Sequence, residues 1–300
     1  MAERDRAFLW HGTGPGTMLR VMRVTPDAAG ASREMTEDGD APFLRIEGDA
    51  ALGILLLCDH ATSRIPSGYD NLGLAETELA RHIAYDIGAA AVTRGLAARL
   101  GAPALLSNFG RLFIDPNRGE DDPTLIMRLS DGAVVPGNSH VDPVERERRI
   151  RLFHAPYHAA IDAEIDRILA AGIVPILVSI HSFTPVWRGW KRPWEVGILW
   201  DRDPRIALPL VEALAADPAL TVGDNEPYSG ALLNDALYRH GTRRGIAHAL
   251  IEIRQDLIGD DHGAAEWAGR LASILSDLNR LEGVHEIRHF GSKTGQVSPI

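Results

Sequence analysis

The sequence lacks the features that a secreted or membrane-spanning protein needs. It has one cysteine among 300 residues, so no disulfide can form within the chain and nothing indicates an oxidising compartment. No segment reaches the roughly 18 to 20 uninterrupted apolar residues of a membrane-spanning helix. The N-terminal residues MAERDRAFLWHG also lack the apolar core of a secretion signal. We therefore expect a soluble, cytoplasmic protein with no membrane partner.

An excess of positive charge is absent as well. The chain has 31 Lys and Arg residues against 41 Asp and Glu residues, a formal charge of -10. Because proteins that bind a phosphate backbone need clustered Lys and Arg, we expect no nucleic-acid partner. What the chain does have is 45% hydrophobic residues, enough for a substantial core.

The pattern of apolar residues predicts one α/β domain with a mostly parallel or mixed central sheet and helices on both faces. Residues 1–45 are rich in Gly, Pro, Ala and charge and are predicted to be an N-terminal appendage, residues 46–283 the domain, and residues 284–300 a C-terminal tail. Apolar runs predict strands at GILLLCD, APALLSN, RLFID, IVPILVSIH, EVGILWD, LTVGD and AHALIEIRQD. Spacings of three and four predict helices at ETELARHIAYDIGAAAVTRGLAARLG, at residues 143–171 and 204–216, near LLNDALYRHG and at GAAEWAGRLASILSDLNRLEG.

Polar residues end several of the predicted strands. In such a sheet, ligands bind beyond the carboxyl ends of the strands. Two histidines with carboxylates at that edge indicate a metal site, because a hydrolytic zinc needs three protein ligands and an open position for water. The strand-end residues are Asp59 and His60, then Asp115 before Asn117 and Arg118, then His181 and Ser182, and finally Glu252 and Arg254.

Glu252 is the candidate proton carrier for a metal-bound water, because it follows an apolar run that would hold it in place. The alternative is a buried glutamate paired with Arg254, which lies two residues away on the same face of a strand. His154 and His158 could form a metal pair or a hydrogen-bonding support. The aromatic segment FTPVWRGWKRPW is either a loop with a small core of its own or a lid over the site.

Several motifs carry a family resemblance. SIHSF and IEIRQD are similar to segments of the zinc carboxypeptidases, and IDPNR resembles a stretch of the related aspartoacylases. In order, LLLCDHATSRIP, HIAYDIGA, NFGRLFIDPNR, PYHAAID, SIHSF and YRHGTRRGIAHALIEIRQDLI resemble the N-formylglutamate amidohydrolase family over residues 52 to 281. The resemblance implies a zinc-carboxypeptidase-like (phosphorylase/hydrolase-like) fold. It also implies hydrolysis of N-formyl-L-glutamate, or a similar acidic N-acyl amino acid, to formate and glutamate.

The resemblance also implies a metal site. His60 and His181 match the two histidine ligands, and Glu252 matches the general base. Ser63 stands where the carboxypeptidases and aspartoacylases have a ligating glutamate, so Asp86 is the candidate third ligand. Its alternative is a helix carboxylate that caps a loop or pairs with His82. Zinc is the expected metal, although cobalt and manganese accept the same ligands.

For the substrate, the resemblance implies a carboxylate clamp formed by Asn117 and Arg118, with Arg111 as a second cation. Arg64 and Arg254 are further candidates. Two other functions stay open. One is a deacylase for a different N-acyl amino acid. The other is a catalytically silent binding protein on the same fold, which the serine at position 63 keeps open.

Overall fold

A seven-stranded mixed sheet organises the part of the chain that the computed structural model describes, residues 41–295 and residue 297. Two short two-stranded sheets accompany it. The strands are β1 (Phe43–Ile46), β2 (Ile54–Cys58), β3 (Ala104–Ser107), β4 (Leu129–Ser130), β5 (Ala133–Val134), β6 (Ile176–Phe183), β7 (Val186–Trp187), β8 (Trp190–Lys191), β9 (Val196–Leu199), β10 (Val222–Asp224) and β11 (His248–Arg254).

The strand order of the main sheet is β1-β3-β2-β6-β11-β9-β10. Strands β3, β2, β6 and β11 run parallel to one another, whereas β1 pairs antiparallel with β3 and β9 pairs antiparallel with β11. Strands β4 and β5 form one hairpin and β7 and β8 another. The carboxyl ends of the parallel strands therefore meet at one edge, as the predicted α/β class requires.

Helices cover both faces of the main sheet. The helices are α1 (Glu76–Leu79), α2 (Ala89–Leu100), α3 (Pro143–Arg149), α4 (Ala155–Ala170), α5 (Pro204–Ala215) and α6 (Asp261–Leu278). Alternate residues of β2 belong to two separate cores: Ile54 and Leu56 pack with α2, α5 and α6, whereas Leu55 and Leu57 pack with α4. This period of two explains why β2 is a continuous apolar run. Within the described residues, no helix is long and apolar enough to cross a membrane.

An aspartate caps the N-terminus of each of three helices, within three residues of the start predicted for it. Asp142 accepts a hydrogen bond from the backbone of Glu145 at the start of α3, and Asp203 and Asp260 cap α5 and α6 in the same way. A π-helical turn, Ile150–His154, joins α3 to α4. The predicted helix at residues 143–171 is therefore continuous but contains one wider turn.

The long helix predicted before Gly101 is wrong in its first half. Helix α1 has four residues, and α2 begins only after Gly88, whose φ of 83° is left-handed. Asp86 lies in the irregular turn between them and not on a helix. His82 does not pair with it, because its Nε2 lies 3.4 Å from Asp131. Gly88 approaches the backbone of Ile258, far along the chain, and a local pattern cannot report that contact.

The RLFID segment is also not a strand. Its apolar residues are buried in the core beside α4, but its backbone forms turns, and the Asp115 N–H donates to the Leu125 carbonyl at 2.8 Å. The segment is apolar because it is buried. Its backbone bonds to a neighbouring loop and not to an adjacent strand.

The predicted domain boundaries fall inside packed structure. Residues 43–45 belong to β1, so the boundary after residue 45 cuts a strand of the main sheet. Residues 1–40 of the predicted appendage lie outside the described residues. In the predicted tail, Val284 is buried, His285 contacts the Val174 carbonyl at 2.7 Å, and the Lys293 N–H donates to Asp201 at 2.8 Å. The segment from Val284 to Lys293 therefore packs against the domain.

Candidate active site

Three neighbouring strands bring the predicted metal and proton-transfer residues to one edge of the sheet. His60 follows the end of β2, and His181 lies near the end of the adjacent parallel strand β6. Glu252 on β11 is the register partner of His181. Because the three strands are parallel neighbours, these side chains share one site.

His60, Asp86 and His181 form a buried group that could hold a metal ion. One ligand atom from each lies within 4.8 Å of the others. The Nδ1 atom of His181 is 2.8 Å, and that of His60 is 3.3 Å, from the same oxygen of Asp86. Two ligand atoms at roughly 2.0 to 2.2 Å from one tetrahedral zinc lie about 3.3 to 3.6 Å apart, and the spacings of 2.8 to 4.8 Å found here bracket that range.

A carboxylate lies behind each imidazole. The Nε2 atom of His60 is 2.8 Å from Asp115, and that of His181 is 3.1 Å from Asp59. Both ring nitrogens of each histidine therefore face a carboxylate, and an ionised carboxylate only accepts hydrogen bonds. Burial alone would lower the pKa of His181, but its hydrogen bonds to Asp59 and Asp86 raise it to about 10. A divalent ion held by the two Nδ1 atoms would replace the protons there while Asp59 and Asp115 still accept from the Nε2 atoms, so the donor set fits such an ion.

Asp59 is held in place on both oxygens. Besides His181, it accepts hydrogen bonds from the Tyr157 hydroxyl and the Ser179 hydroxyl, both at 2.8 Å. Burial alone would raise the pKa of Asp59, but the hydrogen bond and charge of His181 lower it below its ordinary value. Asp59 therefore stays ionised and keeps the His181 ring in one orientation.

Arg111 neutralises the carboxylates of this site. Its Nη2 donates to Asp115 at 2.9 Å, and its Nη1 lies 3.5 Å from Asp86. Burial alone would raise the pKa of Asp115, but the charges of Arg111 and His60 hold it well below the ordinary value. The predicted second substrate cation is thus already engaged by protein carboxylates.

Glu252 is buried in the same site without a hydrogen-bond partner for its Oε2 atom among the described residues. Burial raises its pKa to about 7. The alternative in which Arg254 pairs with Glu252 is wrong, because Arg254 bonds to Glu195 at 2.7 Å and Asp256 at 2.8 Å. Glu252 is left with a carboxylate oxygen available to a ligand.

A cavity of about 380 Å³ opens over His60, Asp86, His181 and Glu252. Three further residues in its wall are not predicted from the sequence: Tyr228 and Asp235 lie outside the strands and the family motifs, and Gln255 lies in IEIRQD without a chemical signal of its own. The lining residues include His60, His82, Asp86, Arg111, Asn117, Arg118, His181, Thr184, Leu199, Tyr228, Asp235, Leu250, Glu252 and Gln255.

Known proteins resemble this chain in sequence and in fold. The family model of the N-formylglutamate amidohydrolases matches residues 52–259. The chain belongs to this family. A solved structure of gene product Atu2144 from Agrobacterium tumefaciens is 34% identical, with a TM-score of 0.76, and the match covers 82% of this chain and 98% of that one. The comparison with curated proteins returned no match.

A second solved structure shares the fold of this N-formylglutamate amidohydrolase family member. It is an N-formylglutamate amidohydrolase from Ralstonia eutropha JMP134, which is 22% identical with a TM-score of 0.58. The match covers 80% of this chain and 97% of that chain. At this identity the likeness shows the fold alone, an α/β arrangement with a mixed sheet.

Arg118 and Asn117 line the cavity. Among the described residues, the carboxylate that pairs with Arg118 is that of Asp122, which lies 3.9 Å from the Arg118 Nε atom. Arg118 donates to the Asn117 carbonyl at 2.8 Å and to Thr124 at 3.3 Å, and its side chain is 25% exposed. The side-chain oxygen of Asn117 accepts the backbone N–H of Ala236 at 3.1 Å, which fixes the loop. The Arg118 guanidinium therefore faces the cavity and is partly exposed there.

The two further arginines lie elsewhere. Arg64 donates to the Asn108 carbonyl at 2.9 Å, and Arg254 is engaged by two surface carboxylates. Neither residue lines the cavity, so the structure gives the prediction for these two arginines no support. Positions 252 and 254 lie on the same face of β11, but the Arg254 side chain bonds to Glu195 and Asp256 and not to Glu252.

His154 supports the loop that carries Arg118, and His158 lies beside it. The Nε2 atom of His154 lies 2.9 Å from the Arg118 carbonyl, and His158 contacts His240 at 2.9 Å. Both rings are buried, with centroids 4.4 Å apart. They do not belong to the metal-binding group found among the described residues.

Proposed function

We propose that this protein is a zinc-dependent amidohydrolase that cleaves N-formyl-L-glutamate to formate and glutamate. The observation that carries the proposal is the buried group of His60, Asp86 and His181, with Glu252 and Arg118 in the same cavity. Membership of the family supports the reaction class. Asp86 supplies the carboxylate that position 63 lacks, and this favours an enzyme over a silent binding protein.

Three sets of residues would take part in the reaction: those that hold the metal, those that orient the histidine rings, and those that contact the substrate. His60, Asp86 and His181 would hold the metal, and Asp59 and Asp115 would keep the two rings oriented. When bound, zinc supplies Lewis acidity and lowers the pKa of a bound water. The remaining steps depend on the side chains of the cavity.

Glu252 is the proton carrier in this proposal. Attack of water on the formyl carbon forms a C–O bond and breaks the C–N bond, so one proton must pass from the water to the leaving amine. A buried carboxylate with a free oxygen can take that proton and return it. Arg118 binds a substrate carboxylate, for which the planar guanidinium offers paired donors.

The test uses purified protein with and without added zinc. We expect about one equivalent of zinc and faster turnover of N-formyl- than of N-acetyl-L-glutamate. Glu252→Gln should keep the zinc and lose about 100-fold or more in turnover, because it removes a proton carrier and not a ligand. Glu212→Gln, an exposed glutamate on α5, is the matched control and should behave as the parent protein.

Three outcomes would contradict parts of this proposal. Faster turnover of the acetyl compound would indicate a deacylase for another acyl group. Absence of both zinc uptake and turnover would favour a silent binding protein. Near-normal turnover by Glu252→Gln would remove Glu252 from the mechanism.

A further inference from the structure

A buried arginine without a carboxylate partner lies behind the cavity wall. Arg192 is 4% exposed and belongs to the segment after β8. Its Nη1 donates to the Thr184 carbonyl and hydroxyl, both at 3.2 Å, and its Nη2 donates to the Tyr228 hydroxyl at 3.0 Å. No salt bridge in the described part of the chain includes Arg192, whereas Arg111 has two carboxylate partners.

Aromatic rings surround this guanidinium. Its central carbon lies 5.5 Å from the ring centroids of Phe183 and Trp187 and 5.1 Å from that of Tyr228. Cation–π contacts offset part of the cost of burying a charge, but they do not cancel the charge. A positive field therefore remains at this wall and attracts an anionic group of a ligand.

Two residues connect Arg192 to the cavity. Thr184 and Tyr228 bond to it, and both line the cavity. The Tyr228 oxygen accepts the hydrogen bond from Arg192, so its own O–H remains able to donate. Burial raises the pKa of Tyr228, so the phenol keeps its proton at neutral pH. Tyr228 therefore presents a donor that is polarised by the guanidinium behind it.

We propose that Tyr228, backed by Arg192, is a second carboxylate-recognition point, so that the protein reads both carboxylates of a dicarboxylic N-acyl amino acid. Arg118 binds one carboxylate and Tyr228 the other. Arg111 is less suited to this role, because its two terminal nitrogens already face Asp86 and Asp115. The inference rests on the proposed function for its substrate class, but binding tests it independently of turnover.

The experiment measures ligand binding by calorimetry in a zinc-loaded Glu252→Gln host. The ligands are N-formyl-L-glutamate and its two half-amides, in which either the α- or the γ-carboxylate is replaced by a neutral amide. Adding Tyr228→Phe or Arg192→Gln should weaken the binding of N-formyl-L-glutamate about 10- to 100-fold, because each removes a hydrogen bond to a charged group. For the half-amide that lacks the carboxylate recognised by Tyr228, the same substitutions should weaken binding by less than about twofold.

Matched variants separate recognition from folding. Arg188→Gln removes an exposed cation from the turn between β7 and β8 and should leave binding unchanged. Arg192→Lys should keep part of the affinity, because it retains the charge but not the planar donors. If thermal unfolding shows that Arg192→Gln is unfolded, Tyr228→Phe decides, since it deletes one hydroxyl from a side chain that is 45% exposed.

Equal weakening for all three ligands would overturn the inference, since it would indicate a general change in the wall. Unchanged binding of N-formyl-L-glutamate by Tyr228→Phe would overturn it as well. Failure of the proposed function looks different: the parent protein would not hydrolyse the compound, while its binding would still depend on Tyr228 and on both carboxylates.

Discussion

Replacing Asp59 by Asn should weaken metal binding while the protein stays folded. The carboxylate of Asp59 accepts hydrogen bonds from His181 Nε2 at 3.1 Å, from Ser179 at 2.8 Å and from Tyr157 at 2.8 Å. An asparagine has the same shape, but its NH₂ group cannot accept any of these hydrogens. At least one donor loses its acceptor, and the His181 ring loses the charge that fixes its tautomer.

The magnitude follows from this contact. Loss of the partner behind a metal-binding histidine costs about 10- to 100-fold in metal affinity, or about 1.4 to 2.7 kcal/mol. Loss of hydrogen bonds to a buried charged group costs the metal-free protein about 1.5 to 3 kcal/mol. Typical domains have about 5 to 15 kcal/mol of stability, so the variant should remain folded.

The assay is competition for zinc against a chromogenic chelator, with urea unfolding as the folding check. Asp115→Asn removes the equivalent partner of His60 and should show a similar loss. Asp217→Asn removes a surface carboxylate that pairs with Arg270 and serves as the control. Zinc affinity of Asp59→Asn within twofold of the parent would refute the argument that this carboxylate orients His181.

Three more predictions follow from burial. Leu56→Ala, at a fully buried position of β2, should cost about 2 to 5 kcal/mol in urea unfolding, and a cost below about 1 kcal/mol would contradict the packing described. Burial raises the pKa of the Cys58 thiol, so a thiol reagent should label it only after unfolding; rapid labelling of the native protein would show otherwise. Burial also raises the pKa of Asp235 to about 7, so the folded protein holds a proton that the unfolded chain releases, and stability should fall as the pH rises from about 4 to 7. Asp235→Asn should flatten that part of the pH profile of unfolding free energy, and an unchanged slope would contradict the assignment.

The sheet could be predicted in most of its strands. β2 and β9 are continuous apolar runs, and β6 and β11 are largely apolar, because each strand is buried. The RLFID segment shows the limit of this signal, since a buried loop is apolar for the same reason. The helix predicted before Gly101 fails for a related reason, because its first half has apolar residues at helical spacing, yet the chain turns at Gly88, which approaches Ile258.

The strand-end side chains could be predicted to meet, because parallel neighbours end at the same edge. The third metal-ligand candidate, Asp86, could be named only from the family resemblance. It lies in an irregular turn, and no periodic pattern of apolar residues predicts that turn. The arginines show the same limit. Arg111, Arg118, Arg192 and Arg254 are equivalent in a sequence, but only Arg118 has a cavity-facing guanidinium without a close carboxylate, and Arg192 acts through Tyr228.

The sequence by itself determined the α/β class, the edge where chemistry gathers and the histidines and glutamate brought there, because burial and strand polarity are encoded locally. Only the tertiary structure decided which carboxylates meet those rings. His60 and Asp86 are 26 residues apart, and Asp59 and His181 are 122 apart. Such contacts depend on how loops and side chains pack against distant parts of the chain, and no local pattern records that.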